Sequence, residues 1–275
     1  MQAKGEPPLD RPARLPDWQL PVGVDRALWE YLQSETIAED YDEYFAQTRL
    51  LTLDRDFLRE SFNKPGRLID LGCGTGRLSL DFAARGFDVV AVDLSKHMLE
   101  VTCRKRDQLK LPLETIEGNI CDLSALQTSS FDYAISMFST LGMVVGQQSR
   151  RQALGEVHRL LKPGGLFGLH VHNRWFNMFD PQGRKWLFRD LIRQTIGFSD
   201  TGDKVQSRYR GIPNLRLHLF TSGELRRELR RSGFQILRWL PLAPDRTGGI
   251  EFPRFLPQFR ANGWLVVGQK TLSNQ

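Results

Sequence analysis

RLIDLGCGTGRL, residues 67–78, runs a short apolar strand directly into three glycines at alternate positions, Gly72, Gly74 and Gly76, and then into a helix-forming stretch. Glycine serves two needs at such a point. A sharp strand-to-helix turn uses backbone angles closed to residues with a side chain, and a ligand can lie on the backbone only where no side chain intervenes. The helix that follows begins with unpaired N–H groups. About 20 residues on, a second apolar run, Val89–Val92, ends in Asp93. A carboxylate at the end of a second strand overlies the crevice at the sheet edge, where it can accept both hydroxyls of a ribose. Asp93 also suits a helix cap, a duty that Ser95 can share. Loop and acid together point to a nucleoside ligand. The dinucleotide spacing Gly-x-Gly-x-x-Gly is not met, because the third glycine comes one residue early and Arg77 stands in its place.

Working outward, apolar runs at 68–71, 89–92, around Ile116, at 133–137 and at 166–171 alternate with helical stretches at 76–85, 95–107 and 149–162. Strand and helix in strict turn predict an α/β fold: a doubly wound, mostly parallel seven-stranded sheet covered on both faces. Residues 36–63 have the periodicity of one or two leading helices, and residues 1–35, rich in proline and charge, are expected to form an arm. From 173 to 217 the alternation stops, and this aromatic and basic segment is expected to be a lid inserted after the fifth strand. A helix at 221–232 and strands at 234–241 and 264–267 complete the pattern. The division is thus an arm (1–35) and one domain (36–275), comprising a core (66–172), a lid (173–217) and C-terminal elements (218–275).

With 275 residues, 40% hydrophobic and 25% charged, the chain is long enough for a full core and ordinary in composition. No apolar run has the length of a membrane span or a secretory signal, so the expectation is a cytoplasmic protein without a membrane partner. Cys73, Cys103 and Cys121 lack metal-ligand spacing, which argues against zinc and against a disulfide framework. The net charge of +6 is uneven: residues 173–275 hold 18 Lys/Arg against 8 Asp/Glu. Such a bias attracts anionic substrates or nucleic acid, although exposed arginines are more often only a solvated face.

Five segments in order, DLGCGTGRL (70–78), VVAVDLSKHML (89–99), EGNICDL (117–123), FDYAISMFSTLG (131–142) and LLKPGG (160–165), resemble the motif series of class I S-adenosylmethionine-dependent methyltransferases, in particular the small-molecule branch. The resemblance covers residues 36–172 and continues more loosely through 221–241. It implies S-adenosylmethionine as cofactor, S-adenosylhomocysteine as product, and no metal. Asp70, Gly72, Cys73, Gly74 and Gly76 would hold the methionine part, Asp93 and Leu94 the ribose, and Asn119 and Ile120 the adenine. Asn119 departs from the usual aspartate, and Asp122 competes with it. Ser136, Met137 and Phe138 would lie beside the sulfonium. Tyr41, Tyr44 and Arg49 resemble residues that close over the cofactor in relatives.

Methyl transfer from a sulfonium requires alignment and exclusion of water more than a dedicated base. If a proton must leave, histidine suits the task. His170 and His172 face the same side of the fifth strand, and His172, nearer the ligand-binding end, is the candidate base. His97 resembles a position near the cofactor rather than the acceptor, and His158, within a helix, reads as structural. For the acceptor, the candidates are Tyr44, His218 and the lid residues Arg208, Tyr209 and Arg210, whose guanidinium groups would suit an anionic group. The aromatics Trp175, Phe176, Phe179, Trp186 and Phe188 fit core packing better than substrate stacking. The expected partner is a small molecule, with an anionic group as one option and the oligomeric state open. Two alternatives stand beside it: an RNA or tRNA methyltransferase, suggested by the basic C-terminal part, and a non-catalytic S-adenosylmethionine-binding protein. Against the RNA reading, SMFS (136–139) lacks the Asn/Asp-Pro-Pro-Tyr/Phe signature of exocyclic-amine methylation.

Overall fold

A computed structural model describes residues 15–46, 48–198 and 201–271. Nine strands are present among them: β1 (Arg67–Leu71), β2 (Asp88–Asp93), β3 (Leu113–Glu117), β4 (Phe131–Ser136), β5 (Leu161–His172), β6 (Asp203–Tyr209), β7 (Ile212–His218), β8 (Phe234–Pro241) and β9 (Gly263–Lys270). Seven form one sheet in the order β3-β2-β1-β4-β5-β9-β8, and β6 and β7 form a separate hairpin. The first five strands of that order are parallel, while β9 runs antiparallel to both neighbours. This is the expected α/β sheet.

Both faces of the sheet are buried, as parallel pairing through crossover helices demands. In β1 and β2, Ile69, Leu71, Val90 and Val92 pack on one side with Leu154 and Val157 of the helix Gln147–Leu160. Leu68, Val89 and Ala91 pack on the other side with Phe57 and Leu58 of the helix Leu50–Ser61. That helix lies so close to β5 that a Cβ on Gly168 would stand 2.4 Å from Leu58 Cδ2. Helix Lys96–Leu109 is capped by Ser95, whose Oγ accepts from Met98 N.

Three departures from the sequence reading have local causes. Helix Arg26–Leu32 lies within the expected arm, and three further helices, Glu35–Glu39, Tyr41–Phe45 and Leu50–Ser61, replace the one or two expected. Side-chain caps at Asp25 and Ser34 start separate short helices. Seven residues are too few to display a period, and Leu28 and Tyr31 are held instead by packing near Leu215. Residues 1–14 of the arm lie outside the described residues. β5 begins at Leu161, before Lys162-Pro163-Gly164-Gly165, because a register shift opposite Phe131 and Tyr133 and a φ of +78° at Gly164 let the chain stay paired.

The insertion after β5 contains the helix Pro181–Thr195 and the β6–β7 hairpin. Arg210 and Gly211, both at positive φ, form its two-residue turn. Two buried polar clusters tie it down. Asp190 pairs with Arg174 at 2.5 Å and accepts from Gly202 N. His218 bridges Asp203 (2.6 Å) and Glu224 (2.8 Å). Among the described residues no helix is long and apolar enough to cross a membrane, and no group of three or more His, Cys, Asp or Glu is placed to hold a metal.

Burial alone would lower the His218 pKa, but the hydrogen bonds to Asp203 and Glu224 outweigh it and hold the imidazolium above its ordinary value. The stabilisation is therefore fully present below about pH 6.5, the unfolded value, and is lost as pH rises through the folded one. His218→Gln is expected to destabilise the protein by about 3–5 kcal/mol at pH 6, with a smaller loss in alkaline buffer. Urea unfolding across pH checks this; an equal loss at every pH contradicts it.

Candidate active site

A cavity of about 450 Å³ opens at the C-terminal ends of β1, β2 and β4, within the usual size range of small-molecule sites. Its floor is the glycine loop. Gly72 N and Cys73 N donate to Val92 O at 2.8 and 3.0 Å, which fastens the loop to the end of β2. The Asp93 carboxylate then accepts from Gly74 N through one oxygen and from Ser95 N through the other, both at 2.8 Å.

The three glycines, all at positive φ, are not equivalent. A Cβ on Gly72 would meet Thr140 Cγ2 at 2.3 Å, and one on Gly76 would meet Thr102 Cγ2 at 2.6 Å. Those two positions are bare because the protein's own side chains fill the space. At Gly74 the nearest atom would be Tyr41 Cε1, 4.0 Å away across the cavity. That position is bare toward a ligand.

Burial raises the Asp93 carboxyl above its ordinary value against the pull of its backbone hydrogen bonds. Asp70 is pushed up to about 6 by burial, opposed by the Ser79 hydroxyl and Arg77 and assisted by Asp93. Burial, with Asp93 and Asp70 nearby, holds the Cys73 thiol well above its ordinary range, so it stays protonated. At the end of β4, Phe138 (φ 54°) and Ser139 (φ 67°) are consecutive non-glycine residues in the left-handed region, at about 1–3 kcal/mol each. Both line the cavity, and the Ser139 hydroxyl is buried without a hydrogen-bond partner among the described residues.

Of the residues singled out in the sequence, Asp70, Gly72, Cys73, Gly74, Asp93, Leu94, Asn119, Ile120, Met137, Phe138, Tyr41, His172 and Tyr209 all line this cavity. Gly76 and Ser136 are buried and are not among its lining residues. Asn119 is already engaged: its amide donates to Val22 O and its carbonyl accepts from Cys121 N. Asp122 is exposed and lies outside the cavity.

The structure does not bring five others to the cavity. Arg49 is exposed at the start of helix Leu50–Ser61. Tyr44 is exposed, and the Arg210 guanidinium covers its ring at 4.4 Å while pairing with Asp40. Arg208 is exposed and donates to its own turn at Gly211 O. His218 has both ring nitrogens committed to carboxylates. Each was reasonable by type, but tertiary packing decides which side chains face inward.

His170 is buried against Asp54, Nδ1 to Oδ2 at 3.2 Å, and its ring lies 5.5 Å from that of His172. His97 lies beside Glu100 and His158 against Phe234. Trp175 meets Phe259 edge-to-face and Trp186 lies under Lys204, whereas Phe179 and Phe188 are exposed; none of these aromatics lines the cavity.

Sequence reasoning missed the roof. Leu28, Tyr31 and Leu32 of the first helix, and Gln206, Leu215 and Leu217 of the hairpin, close over the loop. Asp42 latches the helix Tyr41–Phe45 down by accepting from Thr75 Oγ1 at 2.6 Å and pairing with Lys105. Leu215, Arg216 and Leu217 all line the cavity, so strand alternation gave no usable signal for them.

Residues 68–165 match a family model described as a methyltransferase domain. A protein of Geobacillus sp. (strain WCH70) that is named as a methyltransferase is 33% identical over 109 residues, 40% of this chain and 43% of that one. The ubiquinone biosynthesis O-methyltransferase of Xanthomonas oryzae pv. oryzae is 34% identical over 136 residues, 49% and 55% of the two chains. The crystal structure of 1,6-didemethyltoxoflavin-N1-methyltransferase from Burkholderia thailandensis, with 1,6-didemethyltoxoflavin and S-adenosylhomocysteine bound, aligns with a TM-score of 0.60 at 18% identity. The alignment covers 86% of this chain and 85% of that one, and the likeness is one of fold. The chain spans about half the length of these curated relatives.

The glycine geometry separates two effects. Gly72→Ala and Gly76→Ala are expected to lower thermal stability by at least about 2 kcal/mol through overpacking and strain. Gly74→Ala should cost about 1 kcal/mol from φ alone while weakening S-adenosylhomocysteine binding at least about tenfold. Melting curves paired with titration calorimetry decide the matter; equal stability losses at all three sites would refute the distinction.

Proposed function

We propose that this chain, which carries a class I S-adenosylmethionine-dependent methyltransferase domain, transfers a methyl group to a small-molecule acceptor. One observation carries the reading: the chamber above the glycine loop and Asp93 is roofed by the leading helices and the hairpin, so cofactor and acceptor share one space.

The residues present fit the cofactor. Gly74 leaves its approach bare, and Asp93, though holding two backbone N–H groups, keeps lone pairs for ribose hydroxyls. Gly118, Asn119 and Ile120 line the cavity in succession, where a base would lie against them. With its side chain committed to Val22 and Cys121, Asn119 acts more as a strut for this segment than as a free reader of adenine. Asp70 supplies negative charge beneath the loop, suited to a cationic ligand. When bound, S-adenosylmethionine supplies an electrophilic methyl carbon. The chain's own part is to hold an acceptor in line with it and to keep water out.

The acceptor side is mainly apolar and aromatic: Tyr31, Phe45, Phe138, Met143, Tyr209 and Leu217. Arg208 and Arg210 do not face it, which weakens the anionic option; Arg216 does, paired with Asp25 at 3.2 Å. His172 lies at the wall, and burial, with His170 and Arg246 nearby, pushes its pKa down to about 3. A neutral imidazole of that kind orients an acceptor hydroxyl or amine by hydrogen bonding and does not store its proton. The RNA reading loses support because several arginines of the basic part pair with carboxylates of the same chain, as in Arg174–Asp190, Arg210–Asp40 and Arg238–Glu60.

Calorimetric titration with S-adenosylmethionine, S-adenosylhomocysteine and NADH tests the cofactor; binding of NADH alone would overturn the reading. Asp93→Asn should weaken S-adenosylmethionine about 10–100-fold, the worth of a charged hydrogen bond. With Asp70 protonating near pH 6, affinity for the cationic cofactor should fall as pH drops below that value, and Asp70→Asn should flatten the profile. For His172→Phe, turnover on an acceptor found by screening should fall with cofactor affinity retained; unchanged turnover removes His172 from the site.

A further inference from the structure

The helix Pro181–Thr195 has two unlike faces. Gly183, Leu187 and Asp190 are buried against the rest of the insertion. On the opposite side Phe188, Ile192 and Ile196 recur every four residues and are 66%, 44% and 65% exposed. Helical spacing at 100° per residue places these three in one stripe, with Lys185 inside it and Arg184 and Arg189 at its two edges. Lys185 and Arg189 are exposed and have no hydrogen-bond or ion-pair partner among the described residues. Asp190, the only carboxylate between 181 and 198, is turned inward onto Arg174.

We propose that this face seats the protein on an anionic lipid bilayer. An apolar stripe with cations beside it, on a helix too short and too polar to span, is the pattern of a helix lying in the membrane interface. The apolar side chains enter the boundary of the acyl chains, and the long stems of Lys185 and Arg189 let their charges reach lipid phosphates. Charge also selects among occupants. A second copy docked on the same face would bring cations against cations, with no carboxylate on the stripe to answer them. Nucleic acid would answer the charge but would leave Ile192 and Ile196 against a polar backbone. Trp186, on the flank of this helix, lies within 5.9 Å of Lys204 on β6, so the element that meets the lipid also adjoins the hairpin that roofs the chamber. This docking is independent of the methyl-transfer reading.

The test is co-sedimentation of the full chain with vesicles of phosphatidylcholine alone and of phosphatidylcholine mixed with phosphatidylglycerol. Binding is expected to the mixed vesicles only and to weaken with salt. Phe188→Ser combined with Ile192→Ser should reduce it at least about tenfold, and Lys185→Ala with Arg189→Ala should reduce it while leaving the melting temperature unchanged. The proposal is overturned if wild type ignores both vesicles or if the serine variant binds as wild type does. It is equally overturned if sedimentation velocity shows a dimer that the serine substitutions abolish, or if a single-stranded oligonucleotide binds the wild type and the serine variant alike.

Discussion

The Asp93 carboxylate holds the site together. One oxygen accepts from Gly74 N and the other from Ser95 N, so a single buried group joins the glycine loop to the start of the helix that follows β2. Ser95 carries the linkage outward: its hydroxyl donates to Leu32 O, at the end of the first helix, and also caps the helix Lys96–Leu109. Loop, second strand, crossover helix and roof are thus connected within a few bonds. Burial makes the arrangement costly for the charged form, and the backbone hydrogen bonds offset part of that cost.

Around this centre the fold divides its work. The parallel strands place their C-terminal ends together, as open α/β sheets do, and this creates a floor with little shape of its own. Shape comes from segments outside the sheet. The short leading helices are held by caps and by Asp42 on Thr75 and Lys105, while the hairpin is held by Arg174–Asp190 and by His218 between two carboxylates. Arg174, Asp190 and His218 are buried and charged, so removing one partner there leaves an uncompensated group, which gives the hairpin a defined seat.

The chemistry expected of such a chamber is positional. Tyr41 and Phe138 line it, both packed on Phe45, and the strained pair Phe138–Ser139 is held where β4 meets the cavity, by Ser139 N on His170 O. Backbone strain persists only where surrounding contacts over-determine it, and here β5 supplies that contact. His170, locked by Asp54, stands behind His172 and fixes its surroundings. An imidazole kept neutral by burial can direct a substrate atom without exchanging charge with it.

The sheet, its crossover helices and the loop with Asp93 were legible in the residues themselves, because they rest on local patterns: alternation of apolar runs, glycines at a turn, and a carboxylate at a strand end. Asn119 lines the cavity, but its hydrogen bonds could not be read locally, because they depend on Val22, 97 residues away. The helix Arg26–Leu32 was too short to show a period, and its place follows from packing near Leu215. Arg208, Tyr209 and Arg210 are adjacent in sequence, yet only Tyr209 lines the cavity: Arg208, its neighbour on β6, is exposed, and Arg210 lies in the turn, over the Tyr44 ring and paired with Asp40. The sequence by itself determined the class of fold and where its loop lies. Tertiary structure alone decided what closes over that loop, since long-range contacts set which side chains point inward and no local pattern encodes them.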